Sequence, residues 1–232
     1  MELPKTKVKA SRKSPKNMII YGAPKIGKTT ILSELDDCLI IDLEDGSDMV
    51  DALKVKVSSL KELGEAGKAI HEAKKPYKYI AIDTISKLEE WCEADAKVLY
   101  MQTPMGKNFD TKNPGASVLS LPNGAGYLYL RIAYKKWMDR LNTLAPHVIL
   151  VGHLNDKMLE KKGKEVAVKD LDLTGKIKQI TCANADAVGY LYRENDKTMV
   201  SFDSMDDITA GSRCEHLKGK TMPLDWSKIF ID

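Results

Sequence analysis

No stretch of this sequence approaches the roughly 18 consecutive apolar residues that a membrane-crossing helix needs, so no helical span is expected. The N-terminus is basic but no apolar core follows it, which argues against a secretory signal. Cysteine is sparse and scattered. Cys38, Cys92, Cys182 and Cys214 form no C-x-x-C pair. Reduced, buried or neutral thiols in a cytoplasmic protein are therefore expected. Cys214 and His216 make a C-x-H, but no second ligand pair stands near them in sequence to complete a zinc site. Arginine is scarce and unclustered, and the chain has neither an internal repeat nor a low-complexity segment.

What is present describes a soluble globular protein. Of 232 residues, 43% are hydrophobic and 30% charged, which suits one domain or one with a small appendage. The net charge of +3 is unevenly spread. Lys5, Lys7, Lys9, Arg12, Lys13 and Lys16 against Glu2 put residues 1–17 at +5 and leave the remainder at −2. A basic, flexible tail over residues 1–16 and a near-neutral body over 17–232 follow. Such a tail can contact nucleic acid or an acidic partner, or it can be a solvated end.

The body is organised around Gly22-Ala23-Pro24-Lys25-Ile26-Gly27-Lys28-Thr29, which fits G-x-x-x-x-G-K-[ST] at every fixed position. Chance gives about one such match per hundred chains of this size. The setting narrows it further, because an apolar run, Asn17 to Tyr21, precedes the loop and a helical segment from Thr30 to Leu35 follows it. Strand, glycine loop and helix make the pattern a phosphate site. The glycines let successive N–H groups turn inward toward phosphate oxygens, and the helix start adds partial positive charge. Lys28 would reach the β- and γ-phosphates, and the Thr29 hydroxyl would hold Mg²⁺. Thr30 completes the candidate nucleotide-binding set.

Three further apolar runs read as strands buried on both faces of a parallel sheet: Cys38–Leu43, Tyr79–Asp83 and His147–His153. Each ends in a polar residue, respectively Glu44, Asp83 and His153. Ligands of open α/β sheets sit outside the carboxyl ends of the strands, so these residues and the phosphate loop converge on one predicted edge. An aspartate ending such a strand suits the magnesium shell, although it could equally cap the following helix. Helical faces run over Leu60–Ala73, Ser86–Gln102 and Tyr127–Leu144. Between the last two, residues 103–126 break pattern with Pro104, Gly106, Pro114, Gly115, Pro122, Gly124 and Gly126. A loop this long is functional or disordered. Residues 155–172 read as a polar, lysine-rich hairpin or a mobile loop. Asp186–Tyr192 and Thr198–Phe202 read as a second hairpin turned at Glu194–Lys197.

This order of phosphate loop, Glu44, Asp83, His153 and hairpin resembles the RecA-like recombinase superfamily. It is most similar to the small phage RecA-like ATPases associated with single-strand annealing. The resemblance covers residues 17–220 and implies an α/β, RecA-like P-loop NTPase core: a mostly parallel sheet flanked by helices, with a C-terminal antiparallel hairpin. It implies ATP and Mg²⁺ as cofactors, with Thr29 and Asp83 as metal residues. Lys28, Glu44 and His153 become the catalytic set, with Glu44 as base and His153 as γ-phosphate sensor. Single-stranded DNA is the implied partner, with a single-strand-binding protein as a natural companion. A ring or filament of identical subunits in the cytoplasm, that of a host if the chain is phage-encoded, is implied as well. DNA contact would come from the two loops, through Lys107, Phe109 and Lys112 in one and Lys161, Lys162 and Lys164 in the other. A cation acting on a neighbouring subunit would come from Arg213, Lys218 or Lys220. His153 departs from the glutamine usual in the main recombinase branch, and the basic tail lacks an aromatic anchor. Two other classes stay open: a P-loop kinase acting on a small molecule, and a non-catalytic nucleotide switch or loader.

Overall fold

A computed structural model describes residues 3–74, 77–110, 117–121, 124–161, 164–205 and 207–231, with the side chains of 157–161 and 164–167 outside the description. The strands are β1 (Asn17–Gly22), β2 (Cys38–Asp42), β3 (Lys54–Lys56), β4 (Tyr79–Asp83), β5 (His147–Lys161), β6 (Lys164–Leu171), β7 (Ala187–Glu194), β8 (Lys197–Ser201), β9 (Gly211–Ser212) and β10 (Thr221–Pro223). The helices are α1 (Lys28–Ser33), α2 (Leu60–Glu72), α3 (Ile85–Met101), α4 (Ala125–Leu141), α5 (Gly175–Asn184) and α6 (Trp226–Ile229).

One mixed sheet carries the fold, in the order β10-β8-β7-β1-β5-β4-β2-β3. From β7 to β3 every neighbour pair is parallel. β8, β9 and β10 add antiparallel pairs on the C-terminal side. The expected α/β class, mostly parallel with a C-terminal antiparallel hairpin, is the fold observed. That hairpin turns at Asn195 and Asp196, with φ 48° and 60°, the left-handed pair that a two-residue turn between twisted strands requires.

The apolar runs explain the layering. Alternate residues of a strand point to opposite faces, and both faces here are covered. Ile19, Tyr21, Ile41, Ile82 and Leu150 pack beneath α2 to α5. Met18, Ile20, Ile40, Ala81 and Val151 pack against α1 and α6. The Trp226 indole donates to the Ile31 carbonyl at 2.7 Å, which ties α6 to the helix behind the phosphate loop. α3 and α4 lie side by side, with Trp137 Nε1 donating to Asp95 at 3.1 Å.

The second half of β5 leaves the main sheet. From Leu154 onward it pairs antiparallel with β6, with Lys161 opposite Lys164 beside the turn. The polar hairpin expected over 155–172 is thus a direct continuation of the central strand that carries His153. The 103–126 loop holds two 3-10 turns, Gly106–Asn108 and Val118–Ser120, and residues 111–116, 122 and 123 lie outside the described set.

Residues 3–13 are exposed and adopt no strand or helix. Ser14 donates to the Ile231 carbonyl at 2.5 Å, and the Lys16 amide donates to Asp186 at 2.8 Å. None of the described helices is long and apolar enough to cross a membrane. Cys38, Cys92 and Cys214 are buried and Cys182 half-buried, all as free thiols. Burial pushes the Cys38 thiol up to about 12 and that of Cys182 to about 11, so both stay protonated near neutrality.

Candidate nucleotide site

Register brings the site together. In β1, Gly22 stands beside His153 of β5. Asp83 of β4 stands beside Val151 of β5 on one side and Asp42 of β2 on the other. Gly22, Asp83 and Asp42 therefore end β1, β4 and β2, and His153 is the last residue of β5 paired with β1, so the four stand on adjacent parallel strands at one carboxyl edge. β5 lies between the loop strand and the Asp83 strand, so His153 stands between the two.

The loop has the backbone its pattern demands. Lys25 has φ 61° and Gly27 φ 95°. Left-handed residues set among right-handed ones turn consecutive N–H groups to the same side, forming an anion cradle. A Cβ at Gly27 would meet nothing within 4 Å, so the conformation and not crowding selects glycine there. At Gly22 the reason is space: a Cβ would lie 2.7 Å from the Leu191 carbonyl oxygen of β7. Helix α1 opens at Lys28, two residues earlier than expected, and has only six residues. The loop's own N–H groups, more than a helix dipole, are left to meet an anion.

Lys28 is only 7% exposed. Its ammonium donates to the carbonyls of Gly22 and Ala23 at 3.0 and 2.9 Å. Burial lowers its pKa, opposed by the charges of Asp83 and Glu44. Thr29 Oγ1 donates to Asp83 Oδ2 at 2.7 Å. Asp83, equally buried, has its carboxyl pushed above the usual range by burial. The Thr29 bond works against this, and the Asp42 and Glu44 charges add to it. The peptide bond from Asp83 to Thr84 is cis.

Glu44 sits on a turn that Asp42 builds. The Asp42 carboxylate accepts from the amides of Glu44 at 3.0 Å, Gly46 at 3.3 Å and Ser47 at 2.9 Å. Burial presses the Asp42 pKa upward, but the Ser47 side chain and these amides win and hold it low. The Glu44 carboxylate faces His153 Nε2 at 3.0 Å from both oxygens. Its Oε1 also accepts from Thr84 Oγ1 at 2.6 Å. The His153 bond is the largest cause of a lowered Glu44 pKa, followed by the opposing effect of burial and then the Thr84 bond. Glu44 is accordingly a carboxylate near neutrality.

These residues fit a magnesium nucleotide. The donor set is a hydroxyl, Thr29, and a carboxylate, Asp83, both hard oxygen ligands. A carboxylate buried as deeply as Asp83 is costly to ionise unless a cation stands beside it. The cradle formed by Lys25 and Gly27 suits phosphate oxygens, with Lys28 as the adjoining charge.

Of the predicted set, Lys28, Thr29, Glu44, Asp83 and His153 meet at this edge. Ala23, Pro24, Lys25 and Ile26 form the loop, and Thr30 is an exposed residue of α1. Of the proposed DNA residues, Lys107 and Phe109 lie on the 103–126 loop. Lys107 is exposed, but Phe109 packs edge-on against Tyr100 with centroids 5.7 Å apart, beneath Lys97 at 5.5 Å. Lys161 and Lys164 flank the hairpin turn, and Lys112 and Lys162 lie outside the described residues. Arg213 bonds to the Ala183 carbonyl and lies 4.0 Å from Asp186, beside the amino end of β7. Lys218 and Lys220 are exposed in the segment that leads into β10, the outermost strand of the sheet. In their own subunit none of these three cations joins the phosphate loop.

Two residues of the site escaped the sequence reading, Thr84 and Asp42. The signals were there: a hydroxyl residue directly after the strand-ending Asp83, and an aspartate followed by Leu-Glu-Asp-Gly, the composition of a side-chain-capped turn.

A strand-ending glycine loop, the Thr29–Asp83 pair and a parallel sheet flanked by helices define the class, a P-loop ATPase-type domain. The family follows from a comparison with known families. The model described as AAA domain matches residues 14–214, most of the chain, and the protein belongs to that family. No curated protein matches the sequence.

Proposed function

We propose that this protein is a Mg²⁺-dependent ATPase of the RecA-like kind that acts on single-stranded DNA during recombination or annealing. The observation that carries this reading is the pairing at the sheet edge. Thr29 holds Asp83 and Glu44 faces His153, with the β5–β6 hairpin rising from the same strand as His153.

The chemistry divides among the chain's own groups. The loop amides bind and orient the phosphates. Lys28 leaves the carbonyls of Gly22 and Ala23 to place its charge on the transferring group. Thr29 and Asp83 would hold Mg²⁺, which would supply neutralisation of the phosphate charge. Glu44 orients a water in line with the transferring phosphorus and accepts its proton at a carboxylate oxygen. His153 must first release Glu44, and its turn toward the nucleotide is passed directly to the hairpin through one continuous strand.

The DNA partner is supported by the hairpin's lysines and its place at the nucleotide edge. Assembly into a ring or filament would let Arg213, Lys218 or Lys220 serve a neighbour, and a single-strand-binding protein would supply the substrate. Action in the cytoplasm, a host's if the chain is phage-encoded, belongs to the same reading.

The test is ATP turnover with and without single-stranded DNA at low and moderate salt. Stimulation by DNA that fades as salt rises is the expected result. Turnover indifferent to DNA would remove the recombination role. Nucleotide binding without turnover would make the Glu44–His153 pair the mark of a switch or loader.

A further inference from the structure

Thr84 occupies the N-cap position of α3, where a threonine hydroxyl ordinarily accepts from a backbone amide of the first turn. It makes no such bond here. Its hydroxyl donates instead to Glu44 Oε1 at 2.6 Å, across 40 residues of sequence. Thr84 is 1% exposed, so no competing water reaches it from bulk. Its neighbour Asp83 bonds the phosphate-loop residue Thr29. Two consecutive residues thus tie the nucleotide half of the site to the turn that carries the base.

We infer that Thr84 is a positioning residue for Glu44: its hydroxyl holds Oε1 so that Oε2 faces the water to be activated. This rests on the reading of Glu44 as the base of an ATPase. His153 touches both oxygens of Glu44, and in the mechanism proposed above it releases them for turnover. Thr84 touches one, and it is the anchor that persists when His153 has gone. Asp42 sets the backbone of the turn, and Thr84 sets the end of the side chain.

The consequence for proton affinity has a definite sign. A donor to Oε1 stabilises the charged carboxylate, so removing it raises the Glu44 pKa. The charged and titratable groups facing the Glu44 carboxylate are Lys28 from α1, Asp83 from β4 and His153 from β5, while Asp42 from β2 holds the Glu44 amide. All remain in a Thr84 variant. The acid limb of turnover, below which Glu44 is protonated and idle, must therefore move to higher pH.

Three variants of the full chain test this: Thr84→Val, Thr84→Ser and Glu44→Gln. ATP turnover is followed across pH, with binding of a fluorescent ATP analogue and thermal melting measured alongside. Thr84→Val should lower kcat by about ten- to a hundredfold, the scale of a misplaced reacting group. Analogue affinity should hold within about twofold, because the placement of Glu44 acts on the attacking water and not on the bound nucleotide. The acid limb should shift upward, and Thr84→Ser should restore both rate and limb. If Thr84→Val melts early, Thr84→Ala takes its place against the serine variant. Wild-type turnover and an unmoved limb in the hydroxyl-free variant would overturn the inference, provided Glu44→Gln is inactive. Equal loss in the valine and serine variants would overturn it too, by making the role one of packing. Full turnover in Glu44→Gln would instead overturn the assignment of the base itself.

Discussion

Lys28 shows what a single residue of this site costs and supplies. An ammonium is held almost out of water on two carbonyls, and burial lowers its pKa. Such a charge is expensive to keep unless it acts on an anion. Lys28→Ala should therefore reduce ATP turnover by at least about a hundredfold, the scale of removing one preorganised donor. Turnover of the purified variant beside wild type, at saturating magnesium and ATP, is the measurement. Wild-type rates would place the phosphate chemistry elsewhere. Lys28 and Thr29 were legible in the sequence because their spacing from Gly22 is local and fixed. Glu44, Asp83 and His153 were legible because each follows an apolar run. Asp42 was passed over although the turn it caps is local, and Thr84 was not legible because its bond to Glu44 depends on the register of β2 against β4. No local spacing encodes that register.

At the scale of elements, the buried strands and helices α2 and α3 were read alike, and both helices fall within a residue of the expected Leu60–Ala73 and Ser86–Gln102. Buried parallel strands declare themselves as short apolar runs, and β1, β2 and β4 begin and end within a residue or so of the expected positions. α1 was misplaced because its first turn grows out of the phosphate loop, whose glycine and lysine carry no apolar period. β9 and β10 were not seen at all. They are two and three residues long and owe their strand state to pairing with β7 and β8 rather than to their own composition. The β1–β7 pair carries a prediction at this scale. Gly22 abuts the Leu191 carbonyl, a backbone atom that cannot swing aside. Gly22→Ala should cost about 1–3 kcal/mol of stability, as overpacking does, measured as a lowered denaturant midpoint at unchanged slope. A midpoint equal to wild type would mean that the two strands part without cost and that the glycine serves the loop alone.

For the molecule as a whole, the sheet separates two lysine-bearing features, a basic tail and a hairpin whose five lysines over residues 155–172 are matched by five acids. The basic tail joins the body at Lys16 and Asp186, at the amino edge of β1 and β7. The β5–β6 hairpin leaves from the carboxyl edge, beside the nucleotide site. Both can attract a polyanion, but only the hairpin is joined by one strand to His153. If DNA stimulates turnover through that strand, neutralising Lys161, Lys162 and Lys164 together should weaken single-strand binding. It should also flatten the plot of log affinity against log salt, by about 0.7 for every phosphate that a lysine no longer neutralises. Stimulation of ATP turnover by DNA should fall with it, while turnover without DNA stays as in wild type. A flatter salt slope with full stimulation retained would assign DNA binding to the hairpin and the coupling to another element. An unchanged slope would leave the hairpin a solvated arm and turn attention to the tail. A tail tethered at the far edge can hold DNA near the molecule, and it runs on through β1 to the phosphate loop at Gly22, whereas the hairpin strand carries His153, the partner of Glu44.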